Sequence, residues 1–282
     1  MSKVYDSNEQ SYSLETYLRQ SEPEQAEKSA AWRAAIGLQD VDGLKTSAYL
    51  LETAKEHIEG QIDMSTAKQR LHSYYEQKQQ RLGVEDNCEE ADLVSVHIAE
   101  VLSEQTFQFS PAYYKNLHKR LFAEVFSHAG QFRTYNISKK EWVLNGDTVY
   151  YAPCDSLQET LDYDFTQEKL FPYSKNSLAQ SVKHLAEFTA GLWQIHPFCE
   201  GNTRTTAVFI LKYLRTFGFS LDNDIFAHNS WYFRNALVRA NYNNLPNGIH
   251  ATAQYLQQFF ENLLLGTTHK LKNRYLHIDY KD

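Results

Sequence analysis

The sequence predicts an all-α protein with a single β-hairpin, and three observations carry that expectation. Only 11 Gly and 6 Pro interrupt 282 residues, too few for a turn-rich β fold. Apolar residues recur at three- and four-residue spacing through most of the chain, the period of an amphipathic helix. One stretch departs from that period: in Arg133–Tyr151, β-branched and aromatic residues flank Asn145-Gly146, the strongest short hairpin signal.

Taken in order, Leu50, Leu51, Ala54 and Ile58 mark a helix over 47–58, Gly60 stops it, and Asp63 caps a second helix reaching about Arg81. These two form a helical hairpin. The acidic stretch 83–92 is poor in large apolar residues and is the candidate linker. Helices are expected next over 92–105 and 110–126, the latter opened by Ser110-Pro111. After the β-hairpin they resume over 156–168, 177–194, 201–216, 230–242 and 249–265. In 177–194, Leu178, Val182, Leu185, Ala186, Thr189, Leu192 and Trp193 form one broad apolar stripe, which predicts a central, buried helix. The tail from Thr267 to Asp282 reads as a surface helix or a loosely held end. The expected organisation is a small helical module and linker over 1–90, a larger domain over 91–266 and the tail over 267–282.

Composition narrows function by exclusion. A net charge of -7, from 28 basic and 35 acidic residues, argues against nucleic acid as a direct partner. Three cysteines without a CxxC pair suit a reducing compartment and make sulfur-bound metal improbable. The N-terminus lacks the apolar core of a signal peptide, and no apolar run approaches the roughly 20 residues that cross a bilayer. The expectation is a soluble, cytoplasmic protein with no membrane partner. The aromatic share of 14% reads as core packing.

Chemistry concentrates in His196-Pro197-Phe198-Cys199-Glu200-Gly201-Asn202-Thr203-Arg204-Thr205, between two strongly apolar helices. Pro197 ends the incoming helix and Gly201-Asn202 opens the next, so backbone N–H groups and a helix dipole face an anion, with Arg204 adding a charged fork. Glu200 beside a phosphate would be repelled unless a divalent cation lay between them, which points to Mg²⁺ and a nucleotide. His196, with an ordinary pKa near ~6.5, can take a proton from an attacking hydroxyl. Taken singly, His196 also fits a helix cap and Glu200 a solvated charge. Zinc is disfavoured, because Pro197 and Gly201 interrupt the helix between His196 and Glu200.

The combination His-Pro-Phe-x-Glu-Gly-Asn-x-Arg-Thr closely resembles the signature loop of the Fic/Doc family of protein-modifying enzymes. Ala129-Gly130-Gln131-Phe132-Arg133 and the 137–151 hairpin resemble that family's flap, and the resemblance covers roughly 95–265. It implies an all-helical core with one β-hairpin that transfers AMP from ATP to a Tyr, Ser or Thr hydroxyl of a target protein. His196 would be the general base and Glu200 the Mg²⁺ ligand. Gly201, Asn202, Thr203 and Arg204 would bind phosphates, with Phe198 buried under the loop and shaping this nucleotide site. Tyr232, Phe233 and Asn241 would flank adenine, and Ile137, Ser138, Lys139 and Lys140 of the flap would dock the target by strand addition.

Two positions depart from the pattern. Ala207 stands where the family usually has a second arginine, and Lys212, about 12 Å further along the helix axis, is too distant to replace it. Residues 38–60 resemble the family's helical antitoxin module, as in toxin–antitoxin pairs, and make Glu59 a candidate inhibitory residue, although Lys55 stands four positions before it. The resemblance implies a self-restrained AMP-transferase. A catalytically weak interaction protein and a transferase using another nucleotide donor remain open, as does the oligomeric state, a homo-oligomer included.

Overall fold

Helices form where the apolar period places them. The computed structural model describes Leu14 and residues 23–82, 88–219 and 225–280. Within these lie α1 (Pro23–Gly37), α2 (Ala48–Ile58), α3 (Met64–Leu82), α4 (Glu89–Ser103), α5 (Pro111–Leu121), α6 (Leu157–Leu170), α7 (Leu178–Ile195), α8 (Asn202–Arg215), α9 (Ile225–Ala240) and α10 (Gln254–Leu265). None of them is long and apolar enough to cross a membrane. Two compact units share the chain. The first comprises Met1–Phe107, Lys119–Ala129 and Leu211–Ser230, the second Gln108–His118, Gly130–Ile210 and Trp231–Asp282. The units therefore interleave along the sequence, where a boundary near residue 90 was expected.

In the first unit the expected helical hairpin is present. Ser47 caps α2 by accepting from Leu50 N–H at 3.1 Å, Gly60 turns the chain at φ 76°, and Asp63 Oδ1 accepts from Thr66 N–H at 2.7 Å to start α3. Of the candidate linker, 83–87 lie outside the described residues, and its last part is no linker. Glu89 already begins α4, and Asp92 is fully buried, accepting from Ser47 N–H at 2.9 Å, from the Ser47 hydroxyl and from Tyr75 OH at 2.6 Å. An acidic residue reads as solvated until its partners are known, and here they come from 17 and 45 residues away. Gly37 is required for close approach, since a Cβ there would stand 2.5 Å from the Ala227 Cα. The C-terminal carbonyls of α4 are capped by two cations of α8. Lys212 Nζ reaches Val101 O and Glu104 O, both at 2.8 Å, and Arg215 reaches Leu102 O.

In the second unit α7 is the buried helix expected, opened by a capping box between Ser177 and Gln180. Val182, Leu185, Ala186, Thr189, Leu192 and Trp193 are buried, whereas Leu178 is exposed at the first turn. Phe109, Tyr114, Phe165, Phe188 and Phe209 meet in one aromatic cluster, which is the packing role their number suggested.

Two expectations fail here. No strand forms over 133–151 among the described residues. The Asn145-Gly146 turn is present, with φ 56° and 87° and Asp147 N–H on Leu144 O at 3.1 Å, but Trp142–Leu144 coils into a 3₁₀ turn. Lys139 N–H then goes to the Thr148 hydroxyl at 3.1 Å instead of a cross-strand carbonyl. The segment is a flap by position and a side-chain-braced loop by construction. The C-terminal tail, in turn, is tied to that flap. Ile278 N–H donates to Val143 O at 2.9 Å, Asn145 Nδ2 to Asp279 Oδ2 at 2.6 Å, and the Trp142 ring meets His277 edge-on at 4.9 Å.

Burial raises the Asp92 carboxyl to about 6. A carboxyl raised above its unfolded value near ~3.9 contributes stability that is present below that value and lost as pH climbs through about 6. Urea unfolding should show wild type losing on the order of 2 kcal/mol more than Asp92→Asn between pH 4 and pH 6.5. Parallel pH dependence in the two proteins would exclude this role.

Candidate active site

The loop from His196 to Arg204 is held open by backbone strain that its neighbours fix in place. Pro197 cannot continue α7, and His196 sits in the left-handed region at φ 48°, ψ 57°, unusual for a residue with a Cβ. The Arg133 guanidinium secures it. Nε donates to His196 O at 2.8 Å, Nη2 to Ile195 O at 3.3 Å and to Ala152 O, and Nη1 to Tyr135 O at 3.0 Å. Arg133 N–H adds a bond to Pro197 O at 2.9 Å. A buried cation thus lies on the negative end of α7.

The far side of the loop closes on itself. Asn202 Oδ1 accepts from Phe198 N–H at 3.0 Å while its Nδ2 donates to Phe198 O at 2.8 Å. Gly201 turns at φ 74°, and the first backbone bond of α8 runs from Thr205 N–H to Gly201 O. The N–H groups before Thr205 consequently stand outside the helical ladder, at the positive end of the α8 dipole. Beneath the loop, Phe198 is fully buried and stacks on His118 at 3.7 Å. His118 Nδ1 accepts from Gly130 N–H at 2.9 Å, so its proton lies on Nε2, which donates to Glu200 O at 3.0 Å.

His196 is 3% exposed, and its Nδ1 lies 3.3 Å from Trp193 O, which assigns the proton to Nδ1. Nε2 is left as a bare acceptor with no hydrogen-bond partner. The Tyr151 ring packs against the imidazole at 4.1 Å. Burial first, then the charge of Lys139, holds this histidine well below its usual pKa of 6.5, with the Trp193 carbonyl pulling the other way. Glu200 is the exposed member of the loop, and Lys139 Nζ lies 2.7 Å from its Oε2.

Thr203 and Arg204 are buried at the start of α8, with Thr203 Oγ1 accepting from Trp193 Nε1 at 2.9 Å. Ala207 is fully buried on the same helix. The structure thus brings His196, Phe198, Glu200, Gly201, Asn202, Thr203 and Arg204 into one loop and helix start, and adds Lys139 from the flap. Ile137, Ser138 and Lys140 flank Lys139 there. The other expected contacts are committed elsewhere. Phe233 packs on Phe259 at 5.1 Å, Tyr232 is buried with its hydroxyl on Tyr255 O at 3.3 Å, and Asn241 Nδ2 caps carbonyls of Ala190 and Leu237, both at 3.0 Å. Glu59 ends α2 in the first unit and accepts from Gln61 Nε2 at 2.8 Å. Lys212, spent on α4 carbonyls in that unit, is no phosphate ligand.

Sequence reasoning gave no role to His118, and it read Trp193 only as part of an apolar stripe, Tyr151 only as the end of the hairpin and Arg133 only as part of a motif. A histidine on an amphipathic helix carries no signal of the two backbone groups it bridges. As for a metal, no group of three or more His, Cys, Asp and Glu that could hold one occurs among the described residues. Glu200 offers a single hard oxygen donor, which fits a Mg²⁺ ion that takes its remaining ligands from nucleotide phosphates and water.

The site is thus a strained loop carrying a bare histidine, followed by a helix N-terminus with a carboxylate at its rim, on a helical scaffold. Residues 108–214 match the model of the Fic/DOC family. The chain is 29% identical over 118 residues to the protein adenylyltransferase VbhT of Bartonella schoenbuchensis, covering 42% of this chain and 23% of that one. It is 33% identical over 113 residues to the probable protein adenylyltransferase y4lH of Sinorhizobium fredii, covering 39% and 55%. The matches thus span about a quarter and about half of these curated relatives. The fold is shared with a Fic family protein from Desulfovibrio desulfuricans G20, at TM-score 0.58 and 11% identity over 91% of this chain and 70% of that one.

His118→Phe keeps the ring on Phe198 but strands Gly130 N–H and Glu200 O. Urea denaturation should show a loss of roughly 2 kcal/mol. Unchanged stability would mean that neither bond matters.

Proposed function

We propose that this chain transfers AMP from Mg-ATP to a Tyr, Ser or Thr hydroxyl of a protein target. The observation that carries the reading is the bare Nε2 of His196, fixed in tautomer by Trp193 O and kept neutral by burial. Support comes from the family match and from the names of the two curated relatives.

The target oxygen attacks the α-phosphorus as His196 Nε2 accepts its proton, and pyrophosphate departs with the bond it held. Because His196 is almost fully covered, the hydroxyl reaches Nε2 only when groups packed on the imidazole give way. The N–H groups at the start of α8 and the Arg204 side chain bind the phosphates. A bound Mg²⁺ would supply the charge neutralisation that lets a polyphosphate lie beside a carboxylate. Glu200 would hold that ion, Asn202 and Phe198 hold the loop's shape, and the flap around Lys139 would present the target segment.

His196→Ala should reduce transfer of labelled AMP from Mg-ATP to proteins of a cell lysate by at least roughly a hundredfold. Labelling equal to wild type would refute the proposal. A histidine kept neutral by burial also stays a competent base in mild acid. The acid limb of kcat/KM, measured on a purified target, should therefore fall well below pH 6.5, and a limb at or above 6.5 would contradict the assigned environment.

A further inference from the structure

Resting on that reading, we propose that Lys139 is a phosphate-binding residue held in reserve: its ammonium occupies the cation position at Glu200 until a divalent ion takes the carboxylate, and then turns to the nucleotide phosphates. Three observations lead there. Lys139 Nζ lies 2.7 Å from Glu200 Oε2, with side-chain exposures of 27% and 55%, so the pair sits at the rim where both phosphates and solvent can reach. Its backbone is anchored, since Lys139 N–H is held by Thr148 Oγ1, which itself donates to Val149 O at 3.1 Å. The charge also acts on the base, being the strongest ionic influence on His196.

Two other cations of this unit are committed. Arg133 is spent on the carbonyls of 135, 152, 195 and 196, and Arg234 on Glu141 at 2.5 and 3.1 Å. The methyl of Ala207, buried on α8, offers no charge. A nucleoside triphosphate brings about four negative charges, which Arg204, a helix N-terminus and one divalent ion match incompletely. Lys139 adds the missing positive charge from the flap. A partly exposed ion pair is weak enough to exchange, and a lysine on a four-carbon stem can swing from carboxylate to phosphate without moving its backbone.

The test measures two affinities on wild type, Lys139→Met and Lys139→Arg. Mn²⁺ alone, followed by electron paramagnetic resonance, should bind Lys139→Met about threefold tighter, because a competing cation has gone. Mg-ATP, followed by calorimetry, should bind the same variant roughly tenfold more weakly, and Lys139→Arg should lie near wild type in both. Opposite shifts are the signature: a collapsed flap would weaken both affinities, and a bystander lysine would alter neither. Either of those results, or tighter Mn²⁺ with unchanged Mg-ATP, overturns the inference. Wild type that binds no Mg-ATP overturns the proposed activity itself.

Discussion

The site depends on one guanidinium. Arg133 is 2% exposed and has its N–H groups directed at main-chain carbonyls, two of them at the end of α7. A helix C-terminus leaves carbonyls without intrahelical donors, and a buried one must find partners or pay in stability. Here a single planar cation supplies them and also reaches Ala152 and Tyr135 on the flap side. The left-handed His196 is tolerated because its carbonyl is pinned. Were Arg133 replaced by lysine, one ammonium could not span carbonyls arranged around a fork.

The electrostatic character of the site follows from that arrangement. Arg133 puts positive charge beneath the loop and Lys139 puts it at the rim, while burial removes water from the imidazole. Each effect disfavours an imidazolium, and burial is the largest. Burial and the nearby cations therefore act together to keep His196 a free base. Glu200 is exposed, and its pairing with Lys139 is consequently exchangeable in a way that the Arg234–Glu141 pair, with a fully buried carboxylate, is not.

What the sequence made legible is local. Pro197, Gly201 and Asn202 announce a helix break and a helix start within six residues, and Ser47, Gly60 and Asp63 announce the α2–α3 turn. All of these act over one to four positions. Longer-range partners were not legible. Asp92 reads as part of an acidic linker until Ser47 and Tyr75 close on it, His118 shows no sign of Gly130 and Glu200, and Asn241 looks available until it is seen capping two carbonyls. The hairpin expectation failed for the complementary reason. The Asn145-Gly146 turn obeyed its local rule, but strand pairing is a collective property, and the hydroxyl of Thr148 took the bond a cross-strand carbonyl would have accepted.

A flap without strands must be held from outside. Glu141 is anchored by Arg234, Asp147 accepts from Tyr242 OH at 2.7 Å, and the tail bonds Val143 and Asn145. The restraints therefore cluster around the turn at 141–147, whereas Ser138 and Lys140 are exposed. The lever is braced at its tip and open along the stretch nearest Glu200. Within 137–140 the Lys139 N–H is nonetheless held by Thr148 Oγ1. The turn also ties the polar, basic-aromatic tail down: the Ile278 N–H and the Asp279 carboxylate fill bonding positions that a second strand would otherwise have supplied.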